Sequence, residues 1–211
     1  NRATAISAIS KYFNEKIEMA FLKERQNDLS YNVVSTVLDA VNKKDPAAGL
    51  KMAEQLEAED NAGILSTVAS IYAKERNPKR QEFFEKAIEN TSGFGKYGLM
   101  NSYGDFLTEQ QGPVIEKAIP TLLENSQGSG MWFVRMAGLN SLIKLKTKSD
   151  ASAEQLSADI AKTEDTAEKE KLTKAIVEAQ SLTKQYRAAL EKLKETETNG
   201  NMKRIIEGAL E

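Results

Sequence analysis

The sequence predicts an all-α protein made of stacked antiparallel helix pairs, and three observations carry that prediction. Ala, Leu, Glu, Lys and Gln, all strong helix formers, dominate long stretches. Only 4 prolines and 12 glycines occur in 211 residues, too few for an all-β chain full of turns. An apolar core motif also recurs, first after 31 and then after 35 residues, and a proline follows each copy.

The first elements are the least regular. Ile6, Ile9 and Phe13 suit one helix, and Ile17, Phe21 and Leu22 suit its partner. The repeat then becomes plain. Val33-Val34-Ser35-Thr36-Val37 aligns with Ile64-Leu65-Ser66-Thr67-Val68, and that segment with Leu99-Met100-Asn101-Ser102-Tyr103. Val33, Val34, Val37, Leu38 and Val41 share one face at helical spacing.

The punctuation follows each copy: Asp45-Pro46, Asn77-Pro78 and Gly112-Pro113. Asp, Asn and Gly suit an N-cap and proline the first helical position, so each proline should open a second helix. Those second helices align as well. Met52 and Leu56 correspond to Phe84 and Ile88, and these to Ile119 and Leu123. Pro120 should kink the third of them. One helix pair cannot bury both of its faces, whereas stacked neighbours can. The expected architecture is an α-solenoid of HEAT-like antiparallel helix pairs over residues 1–149.

The next first helix should run from Trp132 to Lys146, after a plain loop over Asn125-Ser126-Gln127-Gly128-Ser129-Gly130. Beyond Lys148 aromatic residues nearly vanish and charges crowd in, which marks residues 150–211 as a charged helical C-terminal cap of the same domain. A free coiled coil is the rival for this segment, although Ala179 and Thr183 are weak seam residues. The apolar phase breaks near Asp165-Thr166, and Leu172, Ile176, Ala179, Tyr186, Leu190 and Leu193 resume it. Asn199-Gly200 reads as a helix stop. Met202, Ile205, Ile206, Ala209 and Leu210 form a last stripe.

Composition restricts function. With no His and no Cys, the chain has no Ser-His-Asp triad, HExxH zinc site, thiolate metal site, disulfide or Cys nucleophile. No catalytic, metal or cofactor-binding residue is expected in it. A net charge of -2 gives no basic surplus for phosphates, and nucleic acid is not an expected partner. No apolar run reaches the roughly 18 residues of a membrane span. Zero Cys fits an exported or a cytoplasmic location equally. The first residue is Asn1, so the chain is expected to be cut from a longer one or processed.

Two local motifs invite chemistry. Gly93-Phe94-Gly95-Lys96-Tyr97-Gly98 matches GxGxxG, but a dinucleotide site needs a strand before it, and Phe83 to Asn90 reads as helix. A glycine-rich helix connection is expected instead. Glu82, Glu85 and Glu89 lie at helical spacing, and a solvated face accounts for them better than a carboxylate pair. Phe94, Tyr97, Tyr103, Phe106 and Trp132 concentrate around the third repeat, mostly as core. Phe94, Lys96, Tyr97, Trp132 and Arg135 are the candidate peptide or interface contacts. Arg135, among apolar neighbours, either pairs with an acid or projects into a groove.

Several segments together carry a family resemblance: Asp28-Leu29-Ser30-Tyr31, Leu50-Lys51-Met52-Ala53-Glu54-Gln55-Leu56, Ser92-Gly93-Phe94-Gly95-Lys96-Tyr97 and Tyr103-Gly104-Asp105-Phe106-Leu107. The chain resembles, over nearly its whole length, the C-terminal HEAT-like helical domain of aminopeptidase N-like zinc metallopeptidases, the membrane alanyl aminopeptidase family. The resemblance implies an upstream catalytic domain on the same polypeptide, carrying GxMEN and HExxH motifs and the zinc. Neither motif occurs here, so no catalytic residue carries over. It also implies a domain that curves over the cleft, restricts entry to unfolded peptides and lines part of the chamber. Two other classes stand beside this one: a HEAT or tetratricopeptide-like interaction scaffold, and, weakest, an enzyme acting alone.

Overall fold

The computed structural model describes residues 2–12, 17–128 and 130–211. Phe13 and Ser129 lie outside the described residues. Among those described there are eleven α-helices, one 3-10 turn and no strand. The chain divides into two compact units, Asn1–Tyr103 and Gly104–Glu211.

The first unit holds α1 (Arg2–Tyr12), α2 (Met19–Arg25), α3 (Tyr31–Lys44), α4 (Pro46–Leu56), α5 (Ala62–Glu75), a 3-10 turn (Pro78–Arg80), α6 (Gln81–Asn90) and most of α7 (Gly93–Leu107). α3 packs on α1, α2, α4 and α5, and α5 also packs on α4. The repeated motif meets its own copy, for the Ser35 hydroxyl lies 2.7 Å from that of Thr67 and also donates to the Gly63 carbonyl at 3.3 Å. Val37 and Val68, the matching valines, are both wholly buried. Further along, Tyr72, Phe83, Phe84 and Tyr103 form a continuous chain of ring contacts with centroids 5.0–5.4 Å apart.

The prolines act as their neighbours predict. Asp45 accepts the N–H groups of Ala47 and Ala48 at 3.1 Å each and starts α4 at Pro46. Asn77 caps Lys79 N–H at 3.1 Å, but here one 3-10 turn intervenes and α6 begins at Gln81. Gly112, at φ +48, supplies a backbone conformation that other residues rarely adopt and leads into α8 at Pro113.

The second unit comprises the end of α7, α8 (Pro113–Ser126), α9 (Trp132–Lys162), α10 (Thr166–Thr196) and α11 (Gly200–Leu210). α9 packs on α8, α10 and α11, and α10 also on α8 and α11. Leu122, Leu139, Leu142, Tyr186 and Leu190 are almost fully buried. Pro120 lies within α8, on an exposed position. Leu123, expected to face the core, is half-buried, and Leu122 takes the buried position.

Three boundaries differ from expectation. The loop predicted from Asn125 starts two residues later, because α8 runs through Ser126, whose hydroxyl donates to the Leu122 carbonyl at 2.6 Å. The helix predicted to end at Lys146 continues without interruption to Lys162, so the change of composition after Lys148, where the cap was drawn, falls inside α9. No glycine or proline lies between Leu139 and Lys162 to stop it. Asn199-Gly200 is not a stop: α10 ends at Thr196, and the Asn199 side chain accepts from Asn201 and Met202 to cap the start of α11. The phase break near Asp165 is a true boundary, since Asp165 caps α10 through Ala167 and Glu168.

Candidate functional site

The segment that matched GxGxxG is the start of a helix. It follows α6 directly, with no strand before it, and α7 opens at Gly93, whose φ is +59. The next two glycines do packing work. A Cβ on Gly95 would lie 2.5 Å from the Ala62 Cβ and 2.8 Å from the Thr91 methyl, and one on Gly98 would lie 3.3 Å from the Ser66 hydroxyl. As Gly95 and Gly98 meet Ala62 and Ser66 in the same order, α5 and α7 run parallel and in close approach there.

This packing orients the candidate residues. Gly95 and Gly98 are i,i+3 neighbours on the face turned to α5. Phe94 and Tyr97 share the adjoining face, one residue earlier. Phe94 is accordingly 79% exposed and Tyr97 40%, while Lys96 is half-buried. Tyr103 and Phe106, further along the same helix, are fully buried, so the aromatic concentration divides between core and surface.

In the second unit the start of α9 carries a matching feature. Met131 is 55% and Trp132 66% exposed, and Trp132 meets Phe133 edge to face at 6.0 Å. Arg135, one turn later, does not project into a groove. Its guanidinium forms an ion pair with Glu197 and reaches the Ser126 carbonyl, joining α9 to the segment between α10 and α11. Burial pushes the Glu197 carboxyl up, but the Arg135 guanidinium and the N–H groups of Asn199 and Thr198 outweigh it and hold its pKa below the ordinary carboxylate value. Of the five candidates, Phe94, Lys96 and Tyr97 fall on one helical turn of the first unit; Trp132 and Arg135 belong to the second.

A second polar arrangement has no counterpart in the sequence reading. Arg80 lies 4.2 Å from the centre of the Tyr72 ring and is paired with Glu54, Glu75 and Glu57, so one guanidinium gathers carboxylates from α4, the turn after it and α5. The Tyr72 hydroxyl donates to Glu57. Burial first, and that carboxylate second, raise the Tyr72 pKa far above its usual value, so the phenol stays protonated. Beside this node a cleft of about 710 Å³ opens between Asp60, Leu65, Phe83 and Lys86. Two of the cations that line it are paired, Lys86 with Glu82 at 2.7 Å and Arg80 with three acids. The node was invisible beforehand because Glu54, Glu57, Glu75 and Arg80 share no period.

Chemically, these ion pairs and hydrogen bonds brace the fold. Glu82 is occupied by Lys86, and Glu85 accepts from the Tyr103 hydroxyl at 3.4 Å. Among the described residues no group of three or more acidic, His or Cys side chains is placed to hold a metal ion. No helix among them is long and apolar enough to cross a membrane. No protein-family model matches the chain. No curated protein matches it either.

Proposed function

We propose that this chain is a non-catalytic helical domain of a zinc metallo-aminopeptidase of the aminopeptidase N type. In this reading it narrows the access of peptides to a catalytic domain on the same polypeptide. The observation that carries the reading is the Ser92–Tyr97 segment. It is the most distinctive part of the resemblance, and the glycines within it set Phe94 and Tyr97 outward instead of into the core. Outward aromatic rings on a rigid helix offer large contact area at low entropic cost, which suits them to line a passage for unfolded peptide or to dock against another domain. Met131 and Trp132 extend the same character to the second unit. The HEAT-like solenoid belongs to this proposal too, supported by the close parallel packing of α5 and α7 and by the contact of Ser35 in one copy of the repeated motif with Thr67 in the next.

The zinc and the hydrolytic chemistry would reside in the upstream domain, since the chain has no His and no Cys. What the chain would contribute is steric: a wall that selects peptides by length and by their ability to thread past aromatic side chains. The test begins with the reading frame upstream of Asn1, where an HExxH motif is expected. The purified chain with added zinc should leave aminoacyl arylamides intact, while the whole polypeptide cleaves them. An upstream frame without that motif, or turnover by the chain alone, refutes the reading. Capture of a stable partner unrelated to any peptidase would replace it with the interaction-scaffold reading.

A further inference from the structure

The two 31-residue helices of the second unit differ sharply along their length. Near its start α9 is well buried, down to Ser149; α10 becomes buried only from Ala179 onward. Between residues 150 and 178 no side chain is buried. This stretch is a two-helix arm. Its apolar seam, formed by Leu156, Ile160, Leu172 and Ile176, stays half-exposed, because two helices alone cannot cover a seam from both sides. At the root of the arm the seam opens into a cleft of about 360 Å³ floored by Leu107, Ile115, Leu145, Leu156, Leu182 and Tyr186.

Charge indicates what covers this seam. Residues 150–178 contain eight carboxylates and four lysines, a net charge of -4, whereas the whole chain carries -2. The remainder is therefore net positive by two, and the acidity concentrates on the arm. An arm-to-arm contact with a second copy would set -4 against -4. Nucleic acid and anionic lipid are repelled for the same reason.

We propose that the open seam and the cleft at its root seat an amphipathic helix with a basic polar face, supplied by a partner protein. Its apolar stripe would cover Leu156, Ile160, Leu172 and Ile176, one large apolar side chain would enter the cleft, and its lysines or arginines would lie along the acidic flanks. The proposal is independent of the peptidase reading, and its test uses this chain alone.

The test is a fluorescence-anisotropy titration with three labelled 18-residue peptides. The first is a Leu-Lys helix with an apolar stripe, the second has the same composition scrambled, and the third is a Leu-Glu helix with the same stripe. The first should bind saturably, and the other two at least tenfold more weakly. Leu172→Ala with Ile176→Ala keeps good helix formers while trimming the seam, and Asp159→Lys with Glu178→Lys reverses one charge beside the seam and one that lines the cleft. Each pair should weaken the first peptide at least tenfold with the helical circular dichroism unchanged. Amide shifts on binding should map to residues 145–186. Equal binding of the scrambled peptide, no binding at 0.5 mM, shifts mapping elsewhere, or self-association of the chain through the arm in sedimentation velocity would each overturn the proposal.

Discussion

At the residue scale the most telling positions are those where a missing side chain or a single ion pair sets the geometry. Gly95 and Gly208 are both helical glycines, yet alanine should act oppositely at the two. At Gly208 nothing lies within 4 Å of an added Cβ, so Gly208→Ala should gain about 0.5–1 kcal/mol from helix propensity. At Gly95 the Cβ would meet that of Ala62, which cannot rotate away, so overpacking of about 1–3 kcal/mol should exceed the propensity gain. Urea unfolding of both variants checks the signs. Arg135 and Glu197 give a second test. Their side chains are 13% and 2% exposed, and Arg135→Ala, which strands a buried carboxylate, should cost about 3–5 kcal/mol.

The same pair has a pH signature. The Glu197 pKa is lower in the folded state than its ordinary value of 4.5, so its contribution is complete above that value and disappears as pH falls through the lowered folded pKa. Acid unfolding should accordingly be less steep in Glu197→Gln than in the parent over that window. The sequence left open whether Arg135 pairs or projects, because its partner lies 62 residues away and no periodicity links the two. Exposure was equally illegible. Phe94 and Phe106 look alike as letters, and only the close approach of Gly95 to α5 decides that one ring faces out while the other is buried.

At the scale of elements, the sequence was most readable where capping chemistry marks a boundary. Asp45 sits at the expected start of α4, and Asp165 falls at the break in apolar phase and starts α10, each accepting two backbone N–H groups. Replacing either with alanine should cost about 1 kcal/mol, measurable by thermal or urea unfolding. Where composition shifts without a cap or breaker, the reading failed. The charge-rich stretch after Lys148 resembles a new segment, yet helix propensity persists through it and α9 continues to Lys162. Asn199 misled for the opposite reason, since asparagine before glycine serves both the end of one helix and the start of the next. The arm formed by residues 150–178 should be the least protected helical region of the second unit. In amide hydrogen exchange it should open well before residues 134–149 and 179–193, where apolar burial accumulates. Uniform protection along both long helices would contradict that expectation.

At the scale of the whole molecule, the all-α class was legible from composition and the proline-marked repeat. The division after Tyr103 was not, because it falls inside the continuous helix α7 with nothing local to announce it. Each unit has its own buried aromatic centre, Tyr72, Phe84 and Tyr103 in the first and Tyr186 in the second. Around these centres the chain places no His, no Cys and, among its described residues, no cluster suited to a metal. Among the large apolar side chains it exposes are Phe94 and Tyr97 at the start of α7 and Met131 and Trp132 at the start of α9, with Tyr12, Leu29, Tyr31 and Val177 elsewhere. In the proposed reading the side chains at the starts of α7 and α9 would act sterically, beside chemistry performed by another domain. The most direct test measures peptide cleavage by the whole polypeptide as a function of peptide length, with and without Phe94→Ala, Tyr97→Ala and Trp132→Ala. The substitutions should change kcat/KM for long peptides several-fold while a single aminoacyl arylamide is turned over at the parental rate. Identical length dependence in parent and variant, or a polypeptide that cleaves no peptide at all, would contradict it.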